Sequence, residues 1–174
     1  MFVVKLSICF LIIGICVLLG MRKSKKYEIR EKMIQEVKTL FNSMKSEMQY
    51  MLTCVPDAIE KLRQGMTTNL KYVLGAISVD MLSNTYDNEE KVNKSIYENV
   101  HTIEELSNYD KEIVCKGLTS LGKGDIDSQL GIINGTIALL ENQLVEAIED
   151  KGKNLKMYKS LGAAVGLMIA IIFI

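Results

Sequence analysis

The chain has 174 residues, with 21 basic and 21 acidic side chains, so its formal net charge is zero. The two signs are mixed along the middle, which excludes a basic nucleic-acid footprint, and no nucleic-acid partner is expected. One histidine and four widely spaced cysteines exclude a Cys/His zinc site and leave no Ser-His-Asp set without a well-placed histidine beyond His101. Met1 to Gly20 has Lys5 as its only charge and no small-residue cleavage pattern, so residues 1–21 read as a first transmembrane helix, not a removed signal. Arg22, Lys23, Lys25 and Lys26 follow at once, which keeps the next segment in the cytoplasm and the N-terminus outside.

From Lys25 to about Met51, Ile29, Met33, Val37, Leu40, Phe41, Met44, Met48 and Met51 recur at helical spacing and predict one long amphipathic helix. Pro56 suits the first turn of a second helix, with Val55, Ala58, Ile59 and Leu62 inward and an end near Gly65. Thr67 or Thr68 is expected to cap a third helix reaching Leu82, apolar around most of its girth and so expected at the centre of a bundle. Val92, Ile96, Val100, Ile103 and Leu106 mark a fourth. Ser107 is the expected cap of a fifth, which Gly122 and Gly124 end. Asp125 is the expected N-cap of the last helix, with Ile126, Leu130, Ile133, Ile137, Leu140, Leu144 and Ile148 on its inner face. If unbroken to Ile174 it is roughly 70 Å long. No stretch alternates with period two for long enough to predict a strand.

Ser160 to Ile174 carries no charge, and residues 157–174 read as a second transmembrane helix. Lys151, Lys153, Lys156 and Lys159 precede it, so both spans place the middle of the chain on the same, cytoplasmic side. The expected architecture is all-α: a cytoplasmic helical bundle of about six helices over 22–156 between two spans in the cell membrane. Arg22, Lys23, Lys25, Lys26, Lys156, Tyr158 and Lys159 are the expected anchors at the lipid interface. Gly162 and Gly166, one turn apart within the second span, are expected to form a helix-packing face. Gly131 and Gly135 repeat that spacing and predict a close crossing with a neighbouring helix. Arg30, Lys61, Arg63 and Lys71 are candidate partner contacts, with a solvated surface as the plainer reading.

Three motifs fail. Gly117 to Gly124 approaches a phosphate-binding loop, but Gly124 stands where a hydroxyl is required, and the stretch follows a helix instead of a strand. Glu98 and His101 have di-iron spacing, yet such sites need two histidines. Asn93-Lys-Ser and Asn134-Gly-Thr fit the glycosylation pattern, which a cytoplasmic domain never presents to that machinery. No catalytic residue, metal or cofactor is expected, and the chain reads as an interaction protein. From the residues alone, a helical membrane signalling or regulatory protein is the second reading.

Lys156-Met-Tyr-Lys-Ser-Leu-Gly162 with the short apolar tail behind it resembles the stage III sporulation protein AB family. Val55-Pro56-Asp57-Ala58 and Leu121-Gly122-Lys123-Gly124-Asp125 look like the first and the final interhelical turns of that family. The family often shows Thr-Pro-Leu-Pro before the second helix, where Cys54 replaces the first proline, and two adjacent glycines in the last span, where Gly166 stands without that neighbour. The resemblance implies a mother-cell membrane protein at the engulfed forespore, a non-enzymatic platform subunit of a secretion-like channel complex. It also implies a bundle similar to the cytoplasmic domains of type II secretion platform proteins, docking a secretion-type ATPase together with the other channel subunits.

Overall fold

The computed structural model describes residues 25–51, 53–83, 89–122 and 125–173. Among them every regular element is helical, as the sequence predicts. Helix α1 (25–46) runs into a π-helical turn at Glu47–Met51 and is followed by α2 (Val55–Arg63), α3 (Leu70–Ser83), α4 (Glu89–His101), α5 (Asn108–Ser120) and α6 (Ile126–Phe173). The chain divides into two compact units, Lys32–Val145 and Met1–Glu31 with Glu146–Ile174, so α1 and α6 each contribute to both.

In the Lys32–Val145 unit, α2 packs on α3, α3 on α4 and α4 on α5. Helix α1 buries Met33, Val37, Leu40, Phe41, Met44 and Met48 at the predicted spacing, and Ile34 besides. Met51, expected inward, is 66% exposed. The π-helical turn explains this, because its wider winding rotates the last residues off the stripe set by the α-helical period. Glu47 secures that turn to α2: its carboxylate accepts from Lys61 Nζ at 2.7 Å and from Thr53 Oγ1 at 3.2 Å.

Helix α3 is not enclosed, although its composition predicts a central position. It buries Leu70, Val73, Leu74, Ile77 and Met81 and leaves Tyr72, Val79 and Leu82 mostly exposed. Helix α4 is shorter than its apolar pattern predicts. It stops at His101, and Ile103 and Leu106 fill the core from the turn that follows. The terminal carbonyls find other donors there: Thr102 Oγ1 reaches Asn99 O at 2.6 Å, and Lys111 Nζ reaches His101 O at 3.1 Å. Ser107 caps α5 as expected and forms a reciprocal capping box with the buried Asp110. Asp125 begins α6 as expected, accepting from the Ser128 amide and hydroxyl. Gly122 holds a left-handed φ of +82° in the turn between them.

The buried face of α6 in this unit runs through Ile133, Thr136, Leu140, Gln143 and Leu144, while the apolar Ile126 is 45% exposed. Two polar residues thus lie inside the seam. Thr136 is accommodated because its hydroxyl donates to Ile132 O at 2.9 Å, which leaves its methyl free for packing. That methyl meets α5 at Gly117. A Cβ placed on Gly117 would lie 2.8 Å from Phe41 Cζ and 2.9 Å from Thr136 Cγ2, so α1, α5 and α6 converge where α5 has no side chain. At Gly131 and Gly135 the same construction meets nothing within 4 Å. The close crossing predicted at Gly131 and Gly135 is therefore absent among the described residues, and Gly117 supplies one instead.

Glu36 fastens α1 to the start of α3. Its carboxylate accepts from both Thr67 and Thr68 hydroxyls, the latter at 2.6 Å, and from the Thr67 amide at 3.4 Å. Burial pushes the Glu36 carboxyl up, but the threonine hydrogen bonds outweigh it and hold the group below the usual glutamate value.

The two kinds of glycine should respond oppositely to a methyl group. Gly117→Ala should destabilise the protein by about 1–3 kcal/mol through overpacking, whereas Gly131→Ala and Gly135→Ala should each stabilise it by about 1 kcal/mol through helix propensity. Denaturant unfolding of the full chain checks both signs. For Glu36 the depressed folded-state pKa means a stabilisation that is complete above the ordinary glutamate range and lost as pH falls through the folded value. Unfolding followed between neutral and acidic pH should show that loss in the wild type and a shallower one in Glu36→Gln.

Candidate functional site

The second unit brings together the start of α1 and the later part of α6. Arg30 Nη1 pairs with Asp150 Oδ2 at 3.4 Å, and Lys151 Nζ pairs with Glu31 Oε2 at 2.8 Å. Nearer the end of the chain, Tyr27 lies beside Tyr158, which acts on its phenol. Moving back along α1 from Glu31 to Tyr27, the partner on α6 moves forward from Lys151 to Tyr158. The two segments therefore run antiparallel, and the N-terminal direction of α1 and the C-terminal direction of α6 lead to the same end of the unit.

The electrostatics follow from this pairing. The hydrogen bond to Glu31 holds the Lys151 amine above its usual value, with the negative charge of Glu28 adding to it. Burial raises the Tyr27 phenol, and Tyr158 and Asp150 raise it further. Glu31 Oε2 is closed off from solvent, and Lys151 is the cation that meets it. Ala147 is buried beside these charges, while Met157, Leu161 and Met168 stand exposed on α6 at 45%, 52% and 64%. Those three, with the exposed Ala164, recur every three to four residues and make one apolar stripe on the helix.

Of the predicted interface anchors, Lys25 and Lys26 are exposed at the start of α1, Lys156 is exposed on α6, and Tyr158 is half-buried beside Tyr27. Arg22 and Lys23 lie outside the described residues. Lys159, Gly162 and Gly166 belong to the α6 backbone, and the surroundings of their side-chain positions lie outside the described residues. The first transmembrane helix, 1–21, lies outside them as well. No helix among the described residues is long and apolar enough to cross a membrane. Arg30, Lys61 and Arg63, proposed from sequence as partner contacts, each engage a carboxylate of the chain itself: Asp150, Glu47 and Glu60. The sequence reading missed Tyr27, Glu31, Asp150 and Lys151 as a group. The signal was available in the opposite charges that the first and last helices carry just inside their apolar ends.

Gly117 is interior to α5, and His101 Nδ1 lies 2.8 Å from Tyr97 O. No group of His, Cys, Asp and Glu among the described residues could hold a metal ion. Cys54 and Cys115 are free thiols, Cys54 exposed and Cys115 buried. Burial, reinforced by Glu112, pushes the Cys115 thiol up to about 12.

Among the described residues the protein is all-helical, and its first and last helices are joined by ion pairs. A family model described as stage III sporulation protein AB matches residues 5–174. The chain belongs to that family and is a sporulation protein. No curated protein and no solved structure matches it.

The clamp can be tested by exchanging its charges. Lys151→Glu should speed amide exchange across residues 25–31, and the double exchange Glu31→Lys with Lys151→Glu should return it toward the wild-type rate. Two like charges brought together at a half-buried site in the single variant are the reason for the loss.

Proposed function

We propose that the protein is a non-enzymatic membrane platform subunit of a secretion-like channel complex between mother cell and forespore, with a secretion-type ATPase docked on its cytoplasmic side. The observation that carries the membrane part is the antiparallel joining of α1 and α6. It sets the start of α1, with Lys25 and Lys26 exposed, against the part of α6 that carries the exposed Lys156. Two cationic clusters on one side suit the cytoplasmic face of an anionic leaflet. The stripe of Met157, Leu161 and Met168 offers lipid-facing surface just past Lys156. Family membership supports the sporulation setting. The resemblance to the family, which implies a bundle similar to secretion platform domains, favours docking.

Cys54 is a built-in topology reporter, since it is exposed and lies in the bundle. A membrane-impermeant maleimide should leave Cys54 unlabelled in intact mother cells and label it once the membrane is opened, and the full chain should resist carbonate extraction. Labelling of Cys54 in intact cells would refute the topology. The ATPase part is tested by purifying the full chain from sporulating cells in mild detergent, where a secretion-type ATPase should accompany it in stoichiometric amount.

A further inference from the structure

The π-helical turn at Glu47–Met51 turns one residue of the apolar stripe outward, and a space lies open beside it. In α-helical winding Met51 falls three residues beyond Met48 and seven beyond Met44, on the face that both of them bury. In the π turn it is 66% exposed, next to Tyr50 at 76%. An apolar groove of about 330 Å³ opens at the same end of the Lys32–Val145 unit. Met48 lines it from the turn, Val55 and Pro56 from α2, and Ile126 and Gln129 from α6. Cys54 also lines it and is exposed. Met51, the next inward position of the stripe, stands outside it.

Glu47 holds the turn in this form. Thr53 donates to it twice, from Oγ1 to the carboxylate at 3.2 Å and from the amide to the Glu47 carbonyl at 3.4 Å. Lys61 Nζ donates to the other carboxylate oxygen at 2.7 Å. Residues six apart are separated by about 9 Å along an α-helix, so α-helical winding from Glu47 to Thr53 breaks both Thr53 contacts. Those polar contacts thus oppose burial, which favours Met51 inside the groove and not in water. Methionine suits an irregular gap, because it is unbranched and has three rotatable bonds. We propose that the end of α1 is a two-state plug: in the π form seen here the groove is open, and rewinding to α-helix turns Met51 into the groove and closes it. Glu47 is the positioning residue of the open form. Whatever fills the groove from outside then holds the turn in the π form, because it binds one of the two states. The inference stands independently of the platform reading.

Cys54 reports on the groove, since a plug that enters it covers the thiol. The test alkylates the full chain in mild detergent with N-ethylmaleimide and follows Cys54 by mass spectrometry of the peptide that contains it. Glu47→Ala should slow Cys54 alkylation at least about threefold, which corresponds to a groove about two-thirds closed. Removing a carboxylate near a thiol, or loosening the fold, would speed the reaction instead. Adding Met51→Ala to Glu47→Ala should return the rate to that of the wild type, because the side chain that closes the groove is gone. Lys61→Gln leaves Glu47 in place and should also slow alkylation, with the same return on adding Met51→Ala. It carries the test if Glu47→Ala does not fold. An unchanged or faster rate in the folded single variants would overturn the proposal, and so would a slowing that persists without the Met51 side chain.

Discussion

The meeting of three helices at Gly117 is the constraint on which the bundle depends. Phe41 is fully buried and aromatic, and its ring needs a flat partner surface. Helix α5 provides that surface by having no Cβ where the ring arrives, and α6 closes the other side with the Thr136 methyl. Remove the space and either Phe41 leaves its rotamer or α5 backs away, and both disturb helices far apart in sequence. A close-packed interior transmits such a shift because it has few voids to absorb it. The adjoining contacts depend on the same placement: Cys115 and Leu118 flank Gly117 in α5 and are both fully buried.

Polar residues then fix what the apolar seam leaves free. Hydrophobic packing sets which faces meet, but lets helices slide or rotate at modest cost. Glu36 with Thr67 and Thr68, Glu47 with Lys61, and the Ser107–Asp110 capping box each tie one residue of one element to one residue of another or to a helix start. Arg63 and Ser78 share Glu60, which registers α2 against α3 at a buried hydroxyl. Every one of these involves a charged acceptor, which makes the hydrogen bond stronger and its loss more costly.

The helical class, five of the interhelical breaks and the caps at Ser107 and Asp125 were legible in the sequence, because they rest on local periodicity and local capping chemistry. What was not legible depended on the neighbour. Gly117 reads from sequence as the start of a failed phosphate-loop match, since nothing local marks it as the spot where Phe41 arrives. Thr136 and Gln143 look like surface residues until α5 supplies the other wall of the seam. Helix α3 shows the reverse case: its composition predicts a central position, yet it packs on α2 and α4 with Tyr72, Val79 and Leu82 left exposed. The exposure of Lys25, Lys26 and Lys156 follows from their charge, whereas the pairing of Glu31 with Lys151 requires α1 and α6 to run side by side.

A net charge of zero conceals how the charges are sorted along α6. From Asp125 to Asp150 the helix holds acidic residues and no basic ones, and from Lys151 to Ile174 it holds four lysines and no acidic residue. One sign change divides the helix, and it falls at Asp150 and Lys151, the two residues that pair with Arg30 and Glu31. Those cross-helix pairs neutralise the boundary locally, so the fields on either side remain distinct. The acidic half repels anionic lipid and attracts cationic protein surface, and the basic half does the opposite. A single uninterrupted helix thus carries unlike charge on its two halves without any change in its backbone.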